Sequence, residues 1–223
     1  MIQPTHSVDS GSDRGLLPDR QLTAFCLGLT GGIASGKSTF AKTFASLTGA
    51  ELFCADRCVH DLLENDAGVA REISIRIHPL AYRDGGPPDR ALIRNQILAH
   101  PEKKTALEEI LHPRVRKAWQ EDAARCRSGG KAFVADIPLL FEVGVETFFD
   151  AVVTVACSEA TRMRRLLARG GMDEAIAKKM IASQWPTDTK VQLSQHVVWN
   201  DGHLDALHLQ ADFLARTFDA RSG

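Results

Sequence analysis

No apolar run in this chain approaches the roughly 20 residues that a bilayer-spanning helix needs, which excludes a membrane-spanning helix. Charge of one sign is not in excess either, since 27 basic and 28 acidic side chains leave a formal charge of −1. A grip on nucleic acid through its phosphates ordinarily carries a basic surplus, so no nucleic-acid ligand is expected. Any bound anion must be held by a local group of residues and not by a global field. Paired cysteines are missing as well. Cys26, Cys54, Cys58, Cys126 and Cys157 are odd in number, irregular in spacing and without a Cys-x-x-Cys pair. That pattern points to free thiols in a reducing compartment. Cys54, Cys58 and His60 lie close together, but no second ligand pair follows at zinc-site spacing, so no zinc centre is expected. Residues 1–21 lack the basic start and apolar core of a secretory signal and the Arg-rich, acid-poor pattern of a transit peptide. They read as a disordered leader, and the protein as cytoplasmic. No internal repeat or further low-complexity tract follows.

What remains is ordinary for a globular chain: 44% hydrophobic and 25% charged residues over 223 positions, enough for one sizeable core. Short continuous apolar runs at Ala24–Leu29, Ala50–Cys54, Ala132–Ala135, Ala151–Ala156 and Val197–Trp199 predict buried strands. Helical patterns lie between them. The first runs from Lys37 to Leu47, with Phe40, Phe44 and Leu47 on one face. A repeated β-α order argues for an α/β fold, a parallel sheet with helices on both faces. The interval from Asp56 to Gly130 is too long for a simple crossover. Its helical patterns break at His78-Pro79, at Asp84-Gly85-Gly86-Pro87-Pro88 and at Pro101, so a helical insertion over the carboxyl edge of the sheet is expected, where a second substrate would bind.

Gly31-Gly32-Ile33-Ala34-Ser35-Gly36-Lys37-Ser38 fits the phosphate-binding pattern G-x-x-x-x-G-K-[ST], between a predicted strand and a predicted helix. Glycines let backbone N–H groups converge on phosphate oxygens, and the helix N-terminus adds its positive dipole end. Lys37 is placed to neutralise β- and γ-phosphates and Ser38 to ligate Mg²⁺. The alternative is a Gly-rich turn capping a helix. Asp56 ends the second predicted strand, as a proton acceptor for an attacking hydroxyl or as the N-cap of the next helix. Asp136 ends the third, as a Walker B carboxylate holding Mg²⁺ directly or through water, or as a cap or turn residue before Pro138. Arg162, Arg165 and Arg169 share one helical face while Arg164 points elsewhere. Such a stripe before Gly170-Gly171 suits a lid whose guanidiniums meet phosphates only when closed, or a solvated charged face.

From about Phe25 to Leu209 these motifs resemble the dephospho-coenzyme A kinase family. The resemblance runs through Leu27-Gly28-Leu29-Thr30-Gly31-Gly32-Ile33-Ala34-Ser35-Gly36-Lys37-Ser38-Thr39, Ala55-Asp56, Asp89-Arg90 to Arg94 and Leu111-His112-Pro113. It continues through Asp136 to Glu142, Arg165 to Arg169, Gln184, Lys190 and Asn200-Asp201-Gly202. It implies a P-loop nucleotide kinase fold with a five-stranded parallel sheet, a helical acceptor-binding insertion at about 57–130 and a small lid at about 159–185. The implied reaction moves the γ-phosphate of ATP to the 3′-hydroxyl of dephospho-coenzyme A, with Mg²⁺. Asp56 becomes the catalytic base beside Lys37 and Arg165. Gly32, Ile33, Ala34, Ser35, Gly36, Lys37, Ser38, Thr39, Arg165, Arg169 and Asn200 become the ATP side. Thr30, Asp56, Arg90, Arg94, His112, Asp136 and Leu140 become the acceptor side, His112 having the alternative of a helix-end residue before Pro113. Four positions depart from the family pattern. Cys54 replaces the first Asp of Asp-Ala-Asp, Gln195-His196 replaces an Ala-Asp pair, Arg162 stands where Gln is common, and Leu98 where Phe is common. A nucleoside-monophosphate or shikimate-type kinase, or a non-catalytic ATP-binding module, are the rival readings.

Overall fold

Continuous apolar runs pair into one parallel sheet in the computed structural model of the chain, which describes residues 24–168 and 173–222. Strands β1 (Cys26–Thr30), β2 (Glu51–Cys54), β3 (Phe133–Asp136), β4 (Ala151–Ala156) and β5 (His196–Trp199) lie in the order β2-β3-β1-β4-β5. Each matches an expected run, with ends moved by a residue or two. The connection after β1 leaves toward one edge of the sheet and that after β3 toward the other. The carboxyl ends of these neighbours therefore form the crevice where open α/β sheets bind ligands. Register sets Asp136 beside Leu29 on one side and Cys54 on the other.

Alternation along β1 divides the core. Leu27 and Leu29 point to the face covered by α1 (Lys37–Thr48) and the C-terminal helix. Cys26 points to the opposite face, with Trp119, Phe133, Leu140 and Val152. Gly28 shares that second face, and a Cβ there would come within 2.8 Å of both Leu140 and Phe149. Its glycine serves close packing. On α1 the buried stripe is Phe40, Ala41, Phe44 and Thr48, while Leu47 is 37% exposed. The expected Leu47 is thus displaced, because Thr48 closes the buried helix end by donating its hydroxyl to the Phe44 carbonyl.

Between β2 and β3 run α2 (Ala55–Asn65), α3 (Ala67–Arg76), α4 (Arg90–Ala99) and α5 (Pro101–Ser128). Asp66 caps α3 by accepting from the N–H groups of Gly68 and Val69, and Asp89 caps α4 by accepting from Leu92. Pro101 opens α5 where a missing N–H costs nothing. These helices hold their own apolar cluster of Leu63, Val69, Ile73, Ile93, Ile110 and Leu111. The second half of α5 leaves that cluster and lays Trp119 and Cys126 on the sheet. The helix continues through Pro113, so the helix-end reading of His112 is overturned. Apolar contacts at both of its ends outweigh the single backbone bond that Pro113 removes.

Helices α6 (Glu159–Ala168), α7 (Glu174–Ala182) and α8 (Thr187–Leu193) join β4 to β5, and α9 (Leu204–Ser222) follows. Arg169, the Gly170-Gly171 hinge and residues 1–21 lie outside the described residues. Among the described residues, no helix is long and apolar enough to cross a membrane.

Candidate active site

The loop between β1 and α1 is held by side chains more than a hundred positions away. Its backbone has a positive φ at three points: Gly31 (148°), Ala34 (60°) and Gly36 (95°). The Gly36 conformation suits glycine alone, since a Cβ there would also meet the Asn200 amide nitrogen at 2.0 Å. The turn leaves loop carbonyls pointing outward, and three distant residues answer the loop. Asn200 Nδ2 donates to the Ser35 carbonyl at 2.7 Å. Arg165 donates from Nη1 to the carbonyls of Ala34 (3.2 Å) and Ser35 (3.1 Å), and from Nη2 to that of Asn200 (3.0 Å). The N–H of Ile33 donates to Gln184 Oε1 at 2.8 Å.

Arg165, expected on the ATP side, thus braces the loop through three carbonyls here. It is a positioning residue of the loop in this structure, and so is Asn200. Gln184 had been noted only as part of a resemblance, and its grip on the loop was not foreseen.

Lys37 and Ser38 converge on one carboxylate. Lys37 Nζ lies 2.8 Å from Asp136 Oδ1, and Ser38 Oγ donates to Asp136 Oδ2 at 3.3 Å. Neither cap nor turn describes Asp136: it is the buried last residue of β3 and faces the loop. Ser35 Oγ, inside the loop, is buried without a hydrogen-bond partner. A hydroxyl and a carboxylate are hard oxygen donors suited to Mg²⁺, which takes one or two protein ligands and completes its shell with water and phosphate oxygens. Among the described residues no group of three or more His, Cys, Asp or Glu forms a dedicated metal cage.

Beneath the loop, Pro138 organises a buried turn. Its carbonyl accepts from Thr30 Oγ1 at 3.0 Å and from Lys190 Nζ at 2.7 Å, and Lys190 also pairs with Glu142 at 2.8 Å. Lys190 is fully buried. Burial lowers its ammonium below the ordinary lysine range, and repulsion from Lys37 and Arg162 adds to this against the pull of Glu142. Thr30 and Leu140, both expected on the acceptor side, have no exposed surface here. They are parts of the scaffold: the Thr30 hydroxyl is used by Pro138, and Leu140 packs under the sheet.

Asp56 occupies the first turn of α2, not the end of β2. Cys54 is the N-cap residue, so the N-cap reading of Asp56 is overturned. The Asp56 side chain is exposed and has no hydrogen-bond or ion-pair partner among the described residues. Positions 56, 60 and 64 form one stripe along α2. Across it lies Arg90, which bonds His60 Nδ1 and, at 2.9 Å, Glu64. Arg94 is one turn along α4 from Arg90 and exposed. The structure thus ties Arg90 to the α2 stripe that begins at Asp56, through His60 and Glu64. His112 is exposed on α5, and no bond joins it to them. An open groove of about 840 Å³ runs along the other face of α2, lined by Cys54, Arg57, Cys58, Asp61 and Asp122 among others. It contains no residue of the phosphate loop, so chemistry and not cavity size marks the site.

A model of the dephospho-CoA kinase family matches residues 25–206. The chain belongs to that family. It is 38% identical over 191 residues to the dephospho-CoA kinase of Chlorobaculum tepidum, covering 83% of this chain and 91% of the relative. It is 39% identical over 186 residues to that of Rhodopseudomonas palustris, covering 82% and 90%. Among solved structures, TT1252 from Thermus thermophilus is 30% identical with a TM-score of 0.71, covering 86% of this chain and 97% of that one. The dephospho-CoA kinase from Campylobacter jejuni, at 23% identity and a TM-score of 0.67, shares the fold over 89% and 98%.

Proposed function

We propose that this chain transfers the terminal phosphate of ATP to the 3′-hydroxyl of dephospho-coenzyme A, giving coenzyme A and ADP. The observation that carries the reading is the convergence of Lys37 and Ser38 of a phosphate loop on the buried Asp136, in a chain of this family. Backbone N–H groups of the loop and the start of α1 hold the phosphates, and Lys37 draws charge from the transferring group. Ser38, with Asp136 directly or through water, would hold Mg²⁺, which when bound would offset the negative charge of the phosphate oxygens. Asp56, exposed and uncommitted, takes the proton of the attacking 3′-hydroxyl. As the new oxygen–phosphorus bond forms, the bond to the bridging oxygen of ADP breaks.

The helices between β2 and β3 form the acceptor side, where Arg90 and Arg94 offer guanidiniums to the phosphates of dephospho-coenzyme A. His112 borders that surface. Helices α6 and α7 form a lid over the nucleotide. Five free cysteines suit a reducing cytoplasm. An ADP-release assay against a panel of acceptors tests the reading. Dephospho-coenzyme A should give turnover, and shikimate and nucleoside monophosphates should not. Turnover with one of those instead, or ATP hydrolysis indifferent to every acceptor, would replace the proposal.

A further inference from the structure

Four cations surround the phosphate loop, and the described residues answer three of them. Lys37 pairs with Asp136, Lys190 pairs with Glu142, and Arg165 donates to three carbonyls. Arg162 is different. It is 6% exposed, its Nε is buried without a hydrogen-bond partner, and its side chain has no ion pair among the described residues. It lies against the loop: a Cβ built on Gly32 would meet its Nη1 at 2.8 Å and its Cδ at 3.3 Å. Asp136 and Glu142 are used by the two lysines, and Asp201 at the start of α6 is bonded by Ser158 and Trp199.

A desolvated guanidinium without a counter-charge is costly to keep in a fold. Simple packing would be served better by a neutral side chain of similar length. The chain nevertheless places this group on α6, one turn before Arg165, on the side facing the loop. A planar fork of donors beside a glycine that offers no side-chain obstruction matches the oxygens of a polyphosphate.

We propose that Arg162 is a built-in phosphate clamp, a guanidinium kept buried and unpaired so that the β- and γ-phosphates of the nucleotide supply its missing counter-charge. The proposal rests on the reading of the loop as an ATP site. It deepens that reading by assigning a ligand-contacting role to a position where the family commonly carries neutral Gln. It also has a consequence that a supporting role would not have: the ligand-free protein is destabilised by Arg162, and the nucleotide relieves the destabilisation.

The test uses the full chain with Arg162→Gln, and Arg162→Lys as the variant that keeps charge without the fork. Thermal unfolding is followed with and without ligand, and binding of ATP and of inorganic triphosphate is measured by calorimetry. Arg162→Gln should melt at or above the wild-type temperature when ligand-free. Its affinity for both probes should fall by about 10- to 100-fold, the worth of a charged hydrogen bond. Arg162→Lys should bind with intermediate affinity. Wild-type affinity in Arg162→Gln would overturn the clamp, whatever its melting temperature. So would a lower ligand-free melting temperature, which would make Arg162 a packing or loop-supporting residue. Failure of the wild-type chain itself to bind triphosphate would overturn the ATP-site reading on which the clamp depends.

Discussion

Replacing Arg165 by lysine separates a residue that shapes the phosphate loop from one that touches the transferring phosphate. Arg165 makes three hydrogen bonds of 3.0–3.2 Å, to the carbonyls of Ala34, Ser35 and Asn200. A lysine ammonium on the same helix position has a single nitrogen and cannot serve both the Ala34 and Ser35 carbonyls, now bonded by Nη1, and the Asn200 carbonyl, now bonded by Nη2; if it turns to Asn200, two bonds to the loop are lost. Charged hydrogen bonds are worth about 1.5–3 kcal/mol each, but Arg165 is partly exposed and water replaces some of what is lost. Two lost bonds at about 1 kcal/mol each give about 2 kcal/mol, or about 30-fold in kcat/KM. Because the loop is misplaced before ATP arrives, the loss should enter binding as well as turnover. Calorimetric titration with ATP and steady-state kinetics at saturating dephospho-coenzyme A measure the two parts. ATP affinity unchanged while kcat alone falls would refute the loop-positioning argument, since a guanidinium acting only on the transition state gives that pattern. Wild-type values for both would return Arg165 to a solvated face.

The exposed, unpartnered Asp56 leads to a second expectation: Asp56→Asn should lower kcat by about 10²–10⁴ with little change in acceptor KM, and near-normal kcat would remove it from catalysis. Cys54→Ser should leave turnover largely intact, because Cys54 caps α2 through its backbone with no side-chain bond; a large loss of activity at an unchanged melting temperature would contradict this. Hydrogen bonds from Thr161, Ser158 and Trp199 hold the Asp201 carboxyl below its ordinary value of 3.8, outweighing burial. A carboxyl whose native value is depressed stabilises the fold above its unfolded value and ceases to as pH falls through the native one. Asp201→Asn should therefore melt lower than wild type at neutral pH, the gap closing in acid below the ordinary aspartate value; a gap independent of pH would show that the charge plays no part.

The sheet and the phosphate loop were legible in the sequence because both are local patterns. Continuous apolar runs name strands buried on two faces, and the loop carries its glycines and Lys37 within eight consecutive residues. Asp136 was legible as a carboxylate at a strand end, and register then set it beside the loop. Other features depend on contacts between distant residues. The role of Arg165 could not be separated from that of Arg162 along a helix, where both belong to one stripe. Only the packing of α6 on the loop shows that the Arg165 side chain bonds carbonyls and that of Arg162 has no bond among the described residues. Gln184 gave no local signal of its grip on Ile33, 151 positions away. At Pro113 the local rule for helix ends was overridden by apolar contacts on both sides. Thr30 was placed on the acceptor side by the family resemblance, and only the fold shows that its hydroxyl bonds the Pro138 carbonyl.

The central claim is that phosphate passes from ATP to one hydroxyl of dephospho-coenzyme A. Phosphorus NMR of the mixture after complete turnover tests it most directly, by identifying the ester formed and counting it against ADP. The account predicts a single new monoester at the ribose 3′-position, in equal amount to the ADP released, and none when Lys37→Ala replaces the wild-type chain. Inorganic phosphate appearing in place of that ester, or an ester at another hydroxyl, would contradict it.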